Sequence, residues 1–180
     1  MGAMFAYISG SPFVIQEIYG ASPQLYSLIF AMNGIGIIIA TQTTGRLAGR
    51  IKEATLLITG LSVAAIASLL LMMCTLTGSG LGFFLPSLFF VVACVGIVST
   101  TCFSLALQNQ GKSAGSASAL LGLTPFIIGS LTSPLVGVAG SQTAVPMGII
   151  MAFCDVVALC LYLLLVVRKG RGESAKKLRS

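Results

Sequence analysis

The sequence predicts an all-α membrane protein, a bundle of six transmembrane helices. Hydrophobic residues make up 56% of the chain and charged residues only 8%, whereas a soluble domain carries about 25% charged residues. Six apolar stretches follow one another, and most of them reach the roughly 20 residues that a helix needs to cross the hydrocarbon core. The basic residues fall in alternate loops, as expected of a chain that crosses a membrane repeatedly.

The apolar stretches form one predicted domain, residues 1–167, which a basic cytoplasmic tail, residues 168–180, follows. We predict this tail to be disordered because it is polar and highly charged. The first stretch looks shortened at its start. In chain order the six predicted spans are residues 1–16, 25–45, 54–77, 82–107, 111–140 and 144–167.

Every lysine and arginine lies on one side of this six-span arrangement. The loops after the first, third and fifth spans contain no basic residue, and a miscounted span would scatter the charges over both sides. By the positive-inside rule we expect the basic side, with both chain ends, to face the cytoplasm. The basic residues are Arg46, Arg50 and Lys52 after span two, Lys112 after span four, and Arg168, Lys169, Arg171, Lys176, Lys177 and Arg179 after span six.

The fifth span combines small residues at four-residue steps with two prolines. Residues four apart share one helix face, and small side chains there let another helix approach closely. The prolines each remove a backbone hydrogen bond, which is tolerated where neighbours or water satisfy the backbone. We therefore expect this span to lie inside the bundle, although Gly and Pro are also simply common in membrane helices. The predicted hinge and packing residues are Pro12 in span one and Ser118, Gly122, Pro125, Gly129 and Pro134 in span five.

Similar small-residue steps occur in other spans, as at Gly60, Ala64 and Ser68 in the third. Close helix packing explains them, and so in part does the abundance of these residues.

Polar residues near the middle of a span are candidates for substrate contact. Asn33 must find hydrogen-bond partners when buried, and either a ligand or another helix can supply them. Tyr7 and Ser11 lie in the sequence YISGSPF beside Pro12, which fits a hinge role as well as a substrate role. The hydroxyl of Thr100 either lines an aqueous path or bonds back to its own helix.

Two further groups of charged residues are candidates. Asp155 is the one acid deep in a predicted span, and it either exchanges protons or pairs structurally with a neighbouring helix. Arg46 and Arg50, near Glu53, either fix the topology or form a cytoplasmic gate that holds the inner helix ends together.

Composition argues against several classes of function. The chain has no histidine, which removes histidine-based catalysis and histidine metal sites. The five cysteines lie inside apolar runs without the pair spacing of a zinc site, so we expect buried thiols and neither metal nor cofactor. The clustered basic residues do not suggest a nucleic-acid partner. The sequence therefore does not predict an intramembrane enzyme, and the partners expected are membrane lipid and a small molecule.

The stretches YISGSPFVIQEIYGASP, AMNGIGI, AGSASALLG and SPLVG resemble the Bcr/CflA drug-efflux subfamily of the major facilitator superfamily. The resemblance covers nearly the whole chain and corresponds to the second half, helices seven to twelve, of a twelve-span transporter. GRLAGR resembles a degenerate copy of the superfamily's cytoplasmic loop motif, with Gly49 where an acid is usual.

The resemblance implies a multi-pass protein of the bacterial inner membrane that exports drugs of the bicyclomycin, sulfonamide and chloramphenicol types in exchange for protons. The first and fourth spans would line a cavity, the second and fifth would meet the N-terminal half, and the third and sixth would face lipid. Asp155 would then lie on a peripheral helix, because the proton-carrying acids belong mainly to the other half. The predicted substrate-binding residues are Phe5, Tyr7, Ser11, Asn33, Thr100 and Phe126.

Two other functions remain open on the sequence alone. The chain could be a facilitator for a sugar or another metabolite. It could also be a non-transporting half-protein that binds a full-length exporter.

Overall fold

The computed structural model describes residues 1–108, 110, 113–137 and 143–177, with side chains up to Leu165. The described residues form six helices, which confirms the predicted fold class, and five of them are long and apolar enough to cross a membrane. The helices are α1 (Gly2–Pro12), continued by a π-helical segment (Phe13–Ile18), α2 (Pro23–Leu47), α3 (Glu53–Thr77), α4 (Leu81–Leu107), α5 (Ala114–Gly137) and α6 (Val145–Lys177).

Local sequence accounts for several helix ends. Ser22 caps α2 by accepting a hydrogen bond from the Leu25 amide at 3.2 Å, and Pro23 takes the first helical position, where its missing N–H costs nothing. At the same end of the bundle, Gly78 stops α3 in the left-handed conformation, with φ of 62°. These residues form the turns that join α1 to α2 and α3 to α4.

The first helix changes geometry directly after Pro12. From Phe13 the backbone follows a π-helical pattern, and the Tyr19 amide reaches back five residues to the Val14 carbonyl at 3.1 Å. Such wider turns occur where the regular hydrogen-bond ladder is interrupted. The residue predicted as a hinge in span one thus marks a real change in helix type.

The helices pack as two related groups of three. α4 packs against α2 and α3, α1 packs against α5 and α6, and α3 packs against α6. Exchanging α1–α3 with α4–α6 leaves this set of neighbours unchanged. This is the three-plus-three repeat found within each half of a major facilitator fold.

A matching pair of close contacts supports this relation. Gly36 of α2 lies against the ring of Phe89 on α4, where an added Cβ would come within 2.7 Å of the ring. Correspondingly, Gly129 of α5 lies against the ring of Phe5 on α1, with 2.5 Å left for a Cβ. In each contact a glycine therefore lets an aromatic side chain approach the helix backbone, that of α2 in the first case and that of α5 in the second.

Burial is unequal among the spans and differs from two expectations, namely that the third span faces lipid and that the fifth lies inside the bundle. α3 is the most buried span, with 50% of its apolar window buried, against 17% for each of α2, α5 and α6. The prediction that the fifth span lies inside the bundle is therefore wrong for this chain by itself. Of the α5 residues, only Gly129, Thr132 and Val136 are buried, because the helix has close neighbours on one side alone.

The C-terminal helix is longer than its apolar stretch. α6 continues to Lys177, through ten residues that the sequence predicted to be a disordered tail. Residues 178–180 of that predicted tail lie outside the described part of the chain, as do Lys112 and Gly140 at the ends of the predicted fifth span.

Candidate functional site

A buried hydrogen bond links α1 to α2. The Asn33 amide nitrogen donates to the Tyr7 hydroxyl at 3.1 Å, and each of these two residues is only 3% exposed. Because a buried amide is costly without partners, this bond favours one alignment of the two helices. The sequence predicted both residues as site candidates, and the structure brings them together.

Aromatic rings extend this contact towards the surface of α2. The Tyr7 ring stacks on Phe30 with centroids 5.7 Å apart, and Phe30 in turn lies 6.0 Å from Tyr26. The Tyr26 hydroxyl shares a hydrogen bond of 3.1 Å with Ser11, which is fully buried. We call Tyr7, Ser11, Tyr26, Phe30 and Asn33 the tyrosine–asparagine cluster.

Sequence reasoning missed Tyr26 and Phe30. Tyr26, Phe30 and Asn33 lie at steps of four and three residues, so they share one face of α2. Reading this spacing together with Tyr7 could have found the cluster, since an aromatic face beside a buried amide predicts a partner on the next helix.

Asn33 also lines an apolar groove between α2 and α4. The groove has a volume of about 280 Å³, and among the described residues Asn33 is the one polar side chain that lines it. The other walls come from Ile29, Met32, Leu85, Pro86, Phe89 and Phe90. A concave apolar surface with one placed amide can hold an apolar molecule and orient it through a single hydrogen bond.

Two other predicted contact residues form a separate pair. The rings of Phe5 on α1 and Phe126 on α5 meet edge to face, with centroids 5.9 Å apart. Phe126 is 66% exposed, so this pair lies at the open side of the bundle.

Thr100 does not join either group. Its hydroxyl donates to the Gly96 carbonyl on its own helix at 2.8 Å, which is the structural alternative that the sequence left open. The six predicted substrate residues therefore lie in three places. Tyr7, Ser11 and Asn33 belong to the tyrosine–asparagine cluster, Phe5 and Phe126 form a separate pair, and Thr100 bonds to the backbone of α4.

The predicted hinge and packing residues of α5 behave differently from one another. Gly129 packs on Phe5, whereas Ser118 and Gly122 are exposed, and an added Cβ at Gly122 would meet nothing within 4 Å. Pro125 and Pro134 both lie within one continuous α-helix.

The charged candidates at the basic end form no ion pair with Glu53. Arg46 and Arg50 are exposed, and the Glu53 carboxylate accepts a hydrogen bond from the Ser104 hydroxyl at 2.8 Å through Oε1. Its other oxygen, Oε2, is buried without a partner. The contact seen at this end therefore joins α3 to α4, and neither arginine takes part in it.

Asp155 faces the interior of the bundle. Its carboxylate lines a cavity of about 290 Å³ to which α1, α3, α4, α5 and α6 contribute residues, and its Oδ2 atom is buried without a hydrogen-bond partner. Asp155 therefore lies on a helix that buries only 17% of its apolar window, but its carboxyl faces inward. The five cysteines are free thiols, and the described residues contain no group of three potential metal ligands.

Comparison with known proteins identifies relatives among membrane transporters. The chain is 46% identical to an uncharacterized MFS-type transporter, YdgK of Bacillus subtilis (strain 168), over 87% of this chain and 39% of that protein. It is 28% identical to a bicyclomycin resistance protein homolog of Haemophilus influenzae, over 95% of this chain and 44% of that protein.

The chain thus spans less than half the length of these two relatives. No family model matches it, and no solved structure does. Together with the five apolar helices, these relatives support a multi-pass membrane protein. The chain is a relative of MFS-type transporters and has the six-helix fold of one half of a major facilitator protein.

Proposed function

We propose that this chain is the C-terminal half of a proton-coupled drug exporter of the major facilitator superfamily, which works by alternating access in a bacterial inner membrane. The observation that carries the proposal is the apolar groove between α2 and α4, with Asn33 held in place by Tyr7. The relative named for bicyclomycin resistance supports the choice of substrate class.

The chemistry of the groove fits small, mostly uncharged drugs. Its walls are aliphatic and aromatic, and one amide supplies the directional contact. A sugar carries many hydroxyl groups, each of which would lose its hydrogen bonds to water on entering such walls. The groove therefore favours a drug of the bicyclomycin, sulfonamide or chloramphenicol type over a sugar.

The exposed faces of α2 and α5 fit a second six-helix half as partner. Both helices bury only 17% of their apolar windows in this chain, and the relatives have more than half of their length outside the matched region. An N-terminal half would cover these faces and close the central cavity between the two halves.

The test is drug retention in a susceptible bacterium. The chain is expressed alone and together with the N-terminal half of the Bacillus subtilis relative, and the uptake of radiolabelled bicyclomycin is measured with and without a proton uncoupler. Lower retention on co-expression, abolished by the uncoupler, is the expected result. Replacing Asn33→Leu should reduce export by about tenfold, as the loss of one buried hydrogen bond predicts.

A matched control lies on the same helix. Thr43 is exposed and donates only to the Ile39 carbonyl of α2, so Thr43→Val should leave export unchanged. Unchanged drug retention together with uptake of a labelled sugar would support a metabolite facilitator instead. Co-purification with a full-length exporter, without any transport, would support the non-transporting role.

A further inference from the structure

We propose that the Asp155 carboxyl is a proton-binding site of this half, separate from the tyrosine–asparagine cluster. The proposal concerns the protonation of one side chain and does not depend on the identity of the transported molecule. No drug is needed to test it, so it can fail or succeed independently of the proposed function.

The surroundings of Asp155 suit an uncharged acid better than a carboxylate. Oδ2 is buried without a hydrogen-bond partner, and the cavity walls around it are largely aliphatic, including Leu61, Ala64, Val91 and Val95. An isolated carboxylate in such an environment is costly, whereas the protonated acid is not charged and needs only one acceptor.

Ser68 of α3 can supply that acceptor. Its side chain is fully buried and lies close to the Asp155 carboxyl, where a hydroxyl that donated to the carboxylate would favour the ionised form. The Ser68 hydroxyl already donates to the Ala65 carbonyl at 3.0 Å, so it offers Asp155 only its oxygen lone pairs. A protonated carboxyl can donate to those lone pairs, but a carboxylate cannot use them.

Few other titratable groups face this carboxyl. The thiols of Cys94 on α4 and Cys154 on α6 line the same cavity, and described α3 and α5 residues contribute no ionisable side chain to it. Met1, beside the start of α1, also lines the cavity and brings no ionisable side chain to it. The reaction is simple: one carboxylate oxygen takes a proton from the aqueous phase to form an O–H bond and returns the same proton when that bond breaks.

Infrared difference spectroscopy of the purified chain in lipid nanodiscs tests the proposal. The carbonyl band of protonated carboxyl groups is followed from about pH 5 to about pH 9, a range in which ordinary Asp and Glu side chains are ionised. We expect one such band at the acidic end of this range, and we expect it to be lost in Asp155→Asn. The band should persist in Glu53→Gln. Glu53 is the matched control because its carboxylate also has a buried oxygen without a partner. Absence of the band in the natural chain, or its persistence in Asp155→Asn, would overturn the proposal.

A second variant, Ser68→Ala, tests the proposal through the direction in which the midpoint of the band shifts. This test applies even if Asp155→Asn does not fold. If Ser68 accepts from the protonated acid, Ser68→Ala should shift the midpoint of the band to lower pH, because the protonated form loses its partner. If Ser68 instead donated to a carboxylate, the midpoint would move to higher pH, which would contradict the proposal. Ser87→Ala should not move the midpoint, since Ser87 lies outside the cavity around Asp155 and donates to the Phe83 carbonyl of its own helix.

Discussion

The third and fifth helices carry the same kind of packing signal, but they use it differently. α3 and α5 are nearly equal in length, with 25 and 24 residues, and both have small residues at four-residue steps. On α3 these residues are buried: Gly60 lies against Ile97 of α4, and Ala64 and Ser68 are covered. On α5, Gly129 meets Phe5, whereas an added Cβ at Gly122 or Gly137 would contact nothing within 4 Å.

This difference teaches that a stripe of small residues indicates close approach without identifying the partner. The α3 stripe is satisfied within this chain by α4 and α6. Most of the α5 stripe has no neighbour here, which agrees with a face that another six-helix half would cover. Substitutions on the two helices should therefore have opposite consequences for the isolated chain and for its association.

The largest expected effect is on the stability of the isolated chain. At Gly60 a Cβ would lie 2.8 Å from the Ile97 methyl group, so Gly60→Leu should lower the free energy of unfolding by about 1–3 kcal/mol, the usual cost of overpacking. Gly122→Leu should change it by less than about 0.5 kcal/mol, because that position is open. Thermal unfolding of both variants in the same detergent measures the contrast. Equal losses would mean that the α5 face is not free.

The next effect concerns association. If an N-terminal half covers α5, Gly122→Leu should weaken its binding at least about tenfold, or about 1.4 kcal/mol, because a large side chain would separate the helices. Co-purification of the N-terminal half of the Bacillus subtilis relative with each variant provides the measurement. Leu131→Ala, at a fully exposed large residue of α5, reports whether the same helix also contributes apolar contacts. Unchanged binding in Gly122→Leu would place the partner on another face.

The smallest expected effect lies at the contact between α1 and α2. α2 is as exposed as α5, but it is tied to α1 by a hydrogen bond instead of a glycine contact. A double-mutant cycle with Tyr7→Phe and Asn33→Leu should give a coupling energy of about 0.6 kcal/mol, the average for hydrogen bonds between membrane helices. A cycle of Tyr7→Phe with Thr43→Val, whose hydroxyl bonds within its own helix, should give no coupling. Coupling in both cycles would indicate a general effect of polarity on α2.

The candidate site was only partly readable from the sequence. Asn33, Tyr7 and Ser11 stand out because polar groups near the middle of a span are expensive and must find partners. Their real partners did not follow from this reasoning, since Tyr26 and Phe30 are ordinary aromatic residues in an apolar helix. Thr100 carried the same signal as Ser11, yet it bonds to its own backbone, because a hydroxyl in a helix can be satisfied locally.

Asp155 also shows that the sequence reveals the depth of a polar residue but not the direction of its side chain. Its depth in the membrane was evident, but its direction was not: Asp155 lines the cavity, whereas Leu163 and Leu164 of the same helix are exposed and lie outside it. Successive residues of an α-helix point about 100° apart, so the rotation of α6 about its axis decides which of them face the cavity. An almost uniformly apolar sequence does not reveal this rotation.

The sequence by itself determined the class of protein and the order of its helices, and it placed the basic residues in alternate loops. These features follow from hydrophobicity and charge, because a backbone in lipid must satisfy its hydrogen bonds within each helix. The tertiary structure alone decided which face of each helix meets a neighbour, that α3 is central and α5 lies at the edge, and that Tyr7 reaches Asn33. In lipid every face is apolar, so shape and a few hydrogen bonds, rather than hydrophobicity, determine how the helices are arranged.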